Sequence, residues 1–322
     1  MGRIRRVSPD RLAGVLPVIS TPFHADWSID EPTLTHEIDW LVQLGADGAV
    51  AAMVSEILRL RFSERKRLGE VVVEALGGRG ASVLSVGAES TDQAVELAAH
   101  ADSIGATAIM ANPPLTSSSD ATGLLTYFRA IADASGDLPL VIQDASGYVG
   151  EPIPLHVLVD LVSLYGPTKI QFKPEAAPLG PRQSALSAAT GGVARLFEGS
   201  GGLALVDSHA RGAVGTMPGA DLVWAIVPLW RALESGDADI ADLISARLAA
   251  VLTHVSSLDS YIAVEKFLLL QQGIFSSSRQ RGPGAYVLDE PTAAEVLRLV
   301  GHLADTVGHP MRLDSVWEKM PC

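Results

Sequence analysis

Lys173 closes an apolar, β-rich run, PTKIQFKPE, at the point where such a run stops. The strand is expected over residues 168–173. Pro174 biases the lysine toward extended backbone, and the glycine- and proline-rich stretch beyond it ends the element. An amine at the C-terminal mouth of a strand, between walls that disfavour its charge, is a candidate nucleophile for a ketone. The competing view is a lysine whose ammonium snorkels to solvent from the strand end.

If that strand belongs to a β/α barrel, chemistry sits at the C-terminal ends of the strands. The residues at or just past those ends are Thr21, Ser55 and Glu56, Glu89, Asn112, Gln143 and Asp144, Lys173 and Glu175, Ser200 and Thr216. All of these converge on one mouth. The eight histidines are scattered and show no HExxH spacing, so neither a catalytic metal nor any other cofactor is expected.

The elements that must carry this mouth follow from periodicity. Short β-branched runs at residues 15–19, 48–53, 82–86, 106–110, 138–143, 168–173, 195–198 and 213–216 alternate with amphipathic helical stretches such as 63–75, 91–103 and 157–164. Ser90 followed by Gln93 is expected to form a capping box ahead of the second of these helices. Eight strands is the number a closed (β/α)8 TIM barrel needs. A doubly wound open sheet would carry a glycine-rich dinucleotide turn after an early strand, and none follows residues 15–19. Beyond about residue 220 the pattern turns helical, over 221–235, 240–256, 262–271 and 293–307. The expected organisation is a barrel over residues 1–220 and a C-terminal helical extension over 221–322 packed on it, of the kind that makes subunit contacts.

Composition narrows the classes. With 48% hydrophobic and 19% charged residues in 322, the chain can bury a large core. A net charge of −13 repels phosphate backbones, which argues against nucleic acid as a partner. Apolar runs are broken by charge before membrane-spanning length, and the N-terminal MGRIRRVSPDRL has no signal-peptide core, so no membrane partner and a cytoplasmic location are expected. Cys322 is the single cysteine, which leaves no intrachain disulfide and no cysteine metal cage.

Taken in order, GVLPVISTPF (14–23), GADGAVAAMVSE (45–56), LPLVIQDASG (138–147), KIQFKPEA (169–176), LFEGSGG (196–202) and RGAVGTMPG (211–219) resemble the pyruvate-dependent class I aldolase superfamily that includes dihydrodipicolinate synthase and N-acetylneuraminate lyase. The resemblance implies the (β/α)8 barrel with its helical extension, a homotetramer built as a dimer of dimers or a dimer, and Lys173 as the Schiff-base lysine acting on a small-molecule 2-oxo acid. It also marks departures. The family's second-strand loop reads GTTGE, whereas AMVSE stands at 52–56, so Met53 and Val54 replace two threonines. Gln143 stands where the family places a proton-shuttling tyrosine, Pro114 and Leu115 replace a tyrosine pair, and Tyr148 falls near the position of a carboxylate-binding arginine. An amide can orient a substrate but is neither acid nor base near neutral pH.

The resulting catalytic set is Lys173, Gln143, Glu56 and Tyr148, with Ser55, Val54, Thr21, Asp144, Gly199 and Val214 around the substrate. Four of these have an ordinary alternative of their own: Ser55 and Asp144 as turn residues, Glu56 as a carboxylate held by Arg59 or a backbone N–H, and Tyr148 as a loop tyrosine. Glu175 either reaches the site or bonds the following loop, and residues 199–202 either admit a ligand or form a tight turn. The expected activity is a lyase that makes or breaks a carbon–carbon bond, distinct from dihydrodipicolinate synthase. The alternatives are a hydro-lyase of a 3-deoxy-2-oxo sugar acid and a catalytically silent relative.

Overall fold

The computed structural model describes residues 12–117 and 119–310; the N-terminal segment and Cys322 lie outside them. Eight parallel strands appear in the expected order: β1 (Gly14–Val15), β2 (Gly48–Ala51), β3 (Ala81–Ser85), β4 (Ala108–Ala111), β5 (Leu140–Asp144), β6 (Ile170–Pro174), β7 (Phe197–Glu198) and β8 (Gly215–Thr216). Ladders join β2 through β6 and, separately, β1 to β8 to β7. Single bridges, Val18 to Val50 and Phe172 to Leu196, connect the two sets and close the barrel. The first strand is much shorter than residues 15–19. Pro17 has no N–H to give the ladder, so regular pairing stops, although its carbonyl still accepts Val50 N–H at 2.8 Å.

Alternation along each strand separates two cores. Val50, Val83, Met110, Val141 and Phe197 fill the barrel interior with Leu16, Val18 and Met217. Ala49, Leu84, Ile109, Ile142, Ile170 and Phe172 face outward into the layer covered by helices. Gln143 and Lys173 have the same parity as Val141 and pair in register across β5 and β6, so both point inward. Ile170 and Phe172, the apolar neighbours of Lys173 along the strand, are on the opposite face of the sheet and so do not surround the ammonium.

Helices α1 (Glu31–Leu44), α2 (Phe62–Leu76), α3 (Thr91–Ser103), α4 (Ala121–Ala134), α5 (Leu155–Tyr165), α6 (Leu179–Ala189) and α7 (Leu205–Ala210) connect successive strands. Ser90 is the N-cap of α3, but its side chain makes no capping bond, contrary to the expected box. After β8 come α8 (Val223–Ser235), which packs on β1 and α1, α9 (Ala238–Leu252), α10 (Leu258–Gln271) and α11 (Glu290–Val307). α9 and α11 pack on each other and on α8, whereas α10 reaches the turn after β2. No helix among the described residues is long and apolar enough to cross a membrane.

Candidate active site

A cavity opens at the C-terminal end of the strands, and its walls include Val54, Gln143, Tyr148, Lys173, Glu175, Gly199 and Tyr261. Lys173 is placed here by β6, with its side chain 5% exposed, and its Nζ lies 3.0 Å from Glu175 Oε1. The other carboxylate oxygen, Glu175 Oε2, accepts a hydrogen bond from Gln143 Nε2 at 2.8 Å. Three side chains from two adjacent strands and the loop beyond them therefore form one line, Gln143 to Glu175 to Lys173. Burial pushes the Glu175 carboxyl above the usual carboxylate range, and the Lys173 cation and the Gln143 donor pull it partly back.

Residue 199 has to be glycine for this arrangement to fit. A Cβ there would stand 2.6 Å from Glu175 Cγ and 2.9 Å from Lys173 Cε. The loop that presents Gly199 is fixed by the buried Glu198, which accepts Ser200 N–H (2.6 Å), Gly202 N–H (3.2 Å), Thr216 Oγ1–H (2.6 Å) and the Ser200 hydroxyl. Ser200 and Thr216, both named from the sequence as mouth residues, thus serve to hold the loop.

Tyr148 lines the cavity with part of its ring exposed. Burial around its hydroxyl, and the Glu175 and Glu198 carboxylates, push its phenol above the ordinary tyrosine range, so it is held as the neutral phenol. The remaining lining is mostly apolar: Val18, Met53, Val54, Met217, Pro218 and Leu258. Among the described residues of this wall, Lys173 is the only cation.

Five expected site residues lie elsewhere. Glu56 is fully engaged by the Lys266 ammonium and by Arg281 N–H at 2.6 Å, in a buried ion pair behind the cavity; Arg59 pairs with Asp259 instead. The Ser55 hydroxyl donates to Ile19 O at 2.5 Å and accepts Ala52 N–H, which commits it to the turn rather than to a substrate carboxylate. Thr21 donates to Ser55 O at 2.6 Å in the same turn. Asp144 accepts from Ser146 N–H and hydroxyl, from Ile153 N–H and from Arg182, so it organises the loop after β5 and carries no proton for the cavity. Val214 packs against the barrel interior below the mouth. Glu89 binds the Leu115 and Thr116 amides, and Asn112 donates to Pro113 O; neither lines the cavity.

Of the two uses open to Glu175 in the sequence, the structure shows the first: it reaches the site, because in an extended chain the side chains of residues i and i+2 share a face and Glu175 follows Lys173 to the cavity wall. Leu258 and Tyr261 come from α10, and nothing local in the sequence brings that helix to the mouth. Tyr261 accepts Gly219 N–H at 3.0 Å, and Arg59 with Asp259, and Glu56 with Lys266, tie the same helix to the turn after β2.

The chain matches the profile of the Dihydrodipicolinate synthetase family over residues 11–296. It is 34% identical over 151 residues to the 4-hydroxy-tetrahydrodipicolinate synthase of Bartonella bacilliformis, covering 47% of this chain and 51% of that relative. The match thus spans about half the length of such relatives. In structure it superimposes on a prophage protein of the dihydrodipicolinic acid synthase family from E. coli K12, solved in complex with pyruvate, with a TM-score of 0.83 at 22% identity, over 91% of this chain and 99% of that one. A sialic acid aldolase from Ruminococcus gnavus gives a TM-score of 0.81 at 19% identity, over 91% of this chain and 97% of that one.

Proposed function

Because the chain belongs to the dihydrodipicolinate synthetase family, we propose that it is a Schiff-base-forming lyase, making or breaking a carbon–carbon bond beside the ketone of pyruvate or a related 2-oxo acid. The observation that carries this is Lys173, whose nearly buried side chain belongs to the wall of the cavity at the strand ends instead of lying in bulk water or sealed packing. Attack of the neutral amine on the ketone, followed by loss of water, gives an iminium. That iminium takes up the electron pair of the carbon–carbon bond that breaks, giving an enamine, which is protonated and hydrolysed to release the 2-oxo acid and free the lysine.

Although the curated relative carries the name 4-hydroxy-tetrahydrodipicolinate synthase, we read this chain as a different lyase. Met53 and Val54, both apolar, line the cavity, and Lys173 is the sole cation among the described lining residues. A second carboxylate on the acceptor would find no charged partner in this wall, so the preferred acceptor is an uncharged, largely apolar aldehyde. Loss of a proton from the carbon beside that iminium gives an enamine, whose electron pair would equally expel a hydroxyl by β- or γ-elimination. The carboxyl of Glu175 beside Lys173 supports a second reading, a hydro-lyase of a 3-deoxy-2-oxo sugar acid, against which the apolar lining weighs. A homotetramer in the cytoplasm completes the proposal.

Incubation with pyruvate and sodium borohydride, followed by intact mass and peptide mapping, tests the reading. A single reduced adduct on Lys173 is expected. No adduct across a panel of 2-oxo acids would replace the enzyme with a silent relative, and product analysis of turnovers separates lyase from hydro-lyase. Light scattering on the eluted protein tests the tetramer.

A further inference from the structure

We propose that Glu175 is the proton carrier of the Schiff-base chemistry at Lys173, with Gln143 as the residue that positions it. The assignment rests on the reading of Lys173 as the nucleophile. It follows from a contact pattern: one carboxylate with one oxygen 3.0 Å from the reacting nitrogen and the other 2.8 Å from an amide that cannot itself exchange protons near neutral pH. The groups facing Glu175 are Lys173 on β6, Gln143 on β5, Glu198 on β7 through its charge, and the neutral Tyr148 phenol, which feels the Glu175 charge in turn. Glu198 already accepts four hydrogen bonds, three from its own loop and one from Thr216 on β8, and Glu56 and Asp144 are committed elsewhere. Among the described carboxylates, Glu175 is the one that both lines the cavity and touches Lys173.

The steps balance with this single group. The Lys173 ammonium gives a proton to the Glu175 carboxylate, leaving a neutral amine beside a carboxylic acid. The amine forms the C–N bond as the carbonyl π bond breaks, and the alkoxide takes the proton from Glu175. The regenerated carboxylate removes one proton from the nitrogen and delivers it to the departing hydroxyl as the C–O bond breaks and C=N forms. Water leaves, the iminium remains, and Glu175 ends as the carboxylate against it. In the same place it can remove a proton from the carbon next to the iminium to give the enamine. Burial and proximity keep the carboxyl's affinity for protons high enough for this exchange, and Gln143 fixes which oxygen faces the nitrogen.

The test uses pyruvate as the probe and two readouts: the rate of borohydride-trappable adduct on Lys173 across pH, and exchange of the pyruvate methyl hydrogens into D2O. Glu175→Gln keeps the size and a hydrogen-bonding group. It is expected to slow both by about 100-fold or more, the range of general acid–base contributions, and to remove the titrating limb that Glu175 contributes to the wild-type pH profile. Gln143→Leu removes a donor that favours the carboxylate, so the same limb is expected to move to higher pH. Should Glu175→Gln fail to fold, the Gln143→Leu shift decides alone, and an unmoved limb overturns the assignment. Wild-type trapping at Lys173 combined with unaltered rates and profile in Glu175→Gln overturns the role of Glu175 while the Schiff-base reading stands. Absence of any adduct in the wild type removes both.

Discussion

The contact between Lys173 and Glu175 makes the least tolerant position of the site a glycine. Gly199→Ala adds one methyl, which meets Glu175 Cγ at 2.6 Å and Lys173 Cε at 2.9 Å, so the line from Gln143 to the amine must shift. We expect adduct formation with pyruvate to fall by at least about tenfold, while the overpacking lowers stability by only about 1–3 kcal/mol in urea unfolding. Equal adduct rates in this variant would mean that the side chains relax without consequence for the reaction. At this scale the sequence was partly legible. The lysine stood out because a charge at the end of a buried strand is rare, and Glu175 was accessible through the two-residue period of an extended chain. Ser55, Glu56 and Asp144 misled because a polar residue at a strand end serves a turn as readily as a ligand. Only hydrogen-bond partners separate those uses, and the partners are distant in sequence: Ile19 for Ser55, Lys266 and Arg281 for Glu56.

Among elements, α10 holds the far wall of the cavity, and its anchoring is polar. Lys266 is fully buried on α10 and donates to Glu56, to Thr21 O at 2.7 Å and to Arg279 O at 2.7 Å, with the Phe23 ring 4.5 Å away. Lys266→Ala strands Glu56 in the interior without its cation and is expected to cost about 3–5 kcal/mol in denaturant unfolding. The double variant with Glu56→Leu recovers part of that loss, because both charges are then gone. A single variant as stable as wild type would show that the pair contributes nothing to docking the helix. Capping gives a milder contrast. Ser90 makes no side-chain capping bond, so Ser90→Ala is expected to be near neutral, whereas Asp120 accepts Gly123 N–H at 2.7 Å at the start of α4, and Asp120→Ala should cost about 1 kcal/mol. Strand and helix order was legible because periodicity reports which face is buried. The pairing limits of β1 were not, since they depend on where Pro17 falls in the ladder.

Over the whole molecule, the balance of acids sets how stability responds to pH. Glu37 on α1 is fully buried; Oε1 accepts Ser20 N–H at 2.9 Å, Oε2 has no hydrogen-bond partner, and burial pushes its carboxyl up to about 8. Asp221 is pushed up to about 7 by burial, and Glu265 is raised as well by burial and by Asp221. Lys266, the cation facing this group, offsets the effect only in part and is already paired with Glu56. These acids hold their protons in the folded chain and release them on unfolding once the pH exceeds the ordinary carboxylate value. The unfolded state therefore binds fewer protons between about pH 4.5 and 8, and the stability they contribute is lost as pH rises through that window. The surface carboxylates act in the opposite sense: Glu31, held low by Arg67, and Asp289, held low by Thr292, contribute stability that is lost as pH falls through their depressed values. The unfolding midpoint in urea is accordingly expected to decline steadily from pH 6 to pH 8.5. Glu37→Gln keeps an oxygen for Ser20 N–H and cannot ionise, so its midpoint should decline less over the same range and exceed that of the wild type at pH 8.5. Parallel curves for the two proteins would show that Glu37 ionises in the folded state as freely as it does in the unfolded chain.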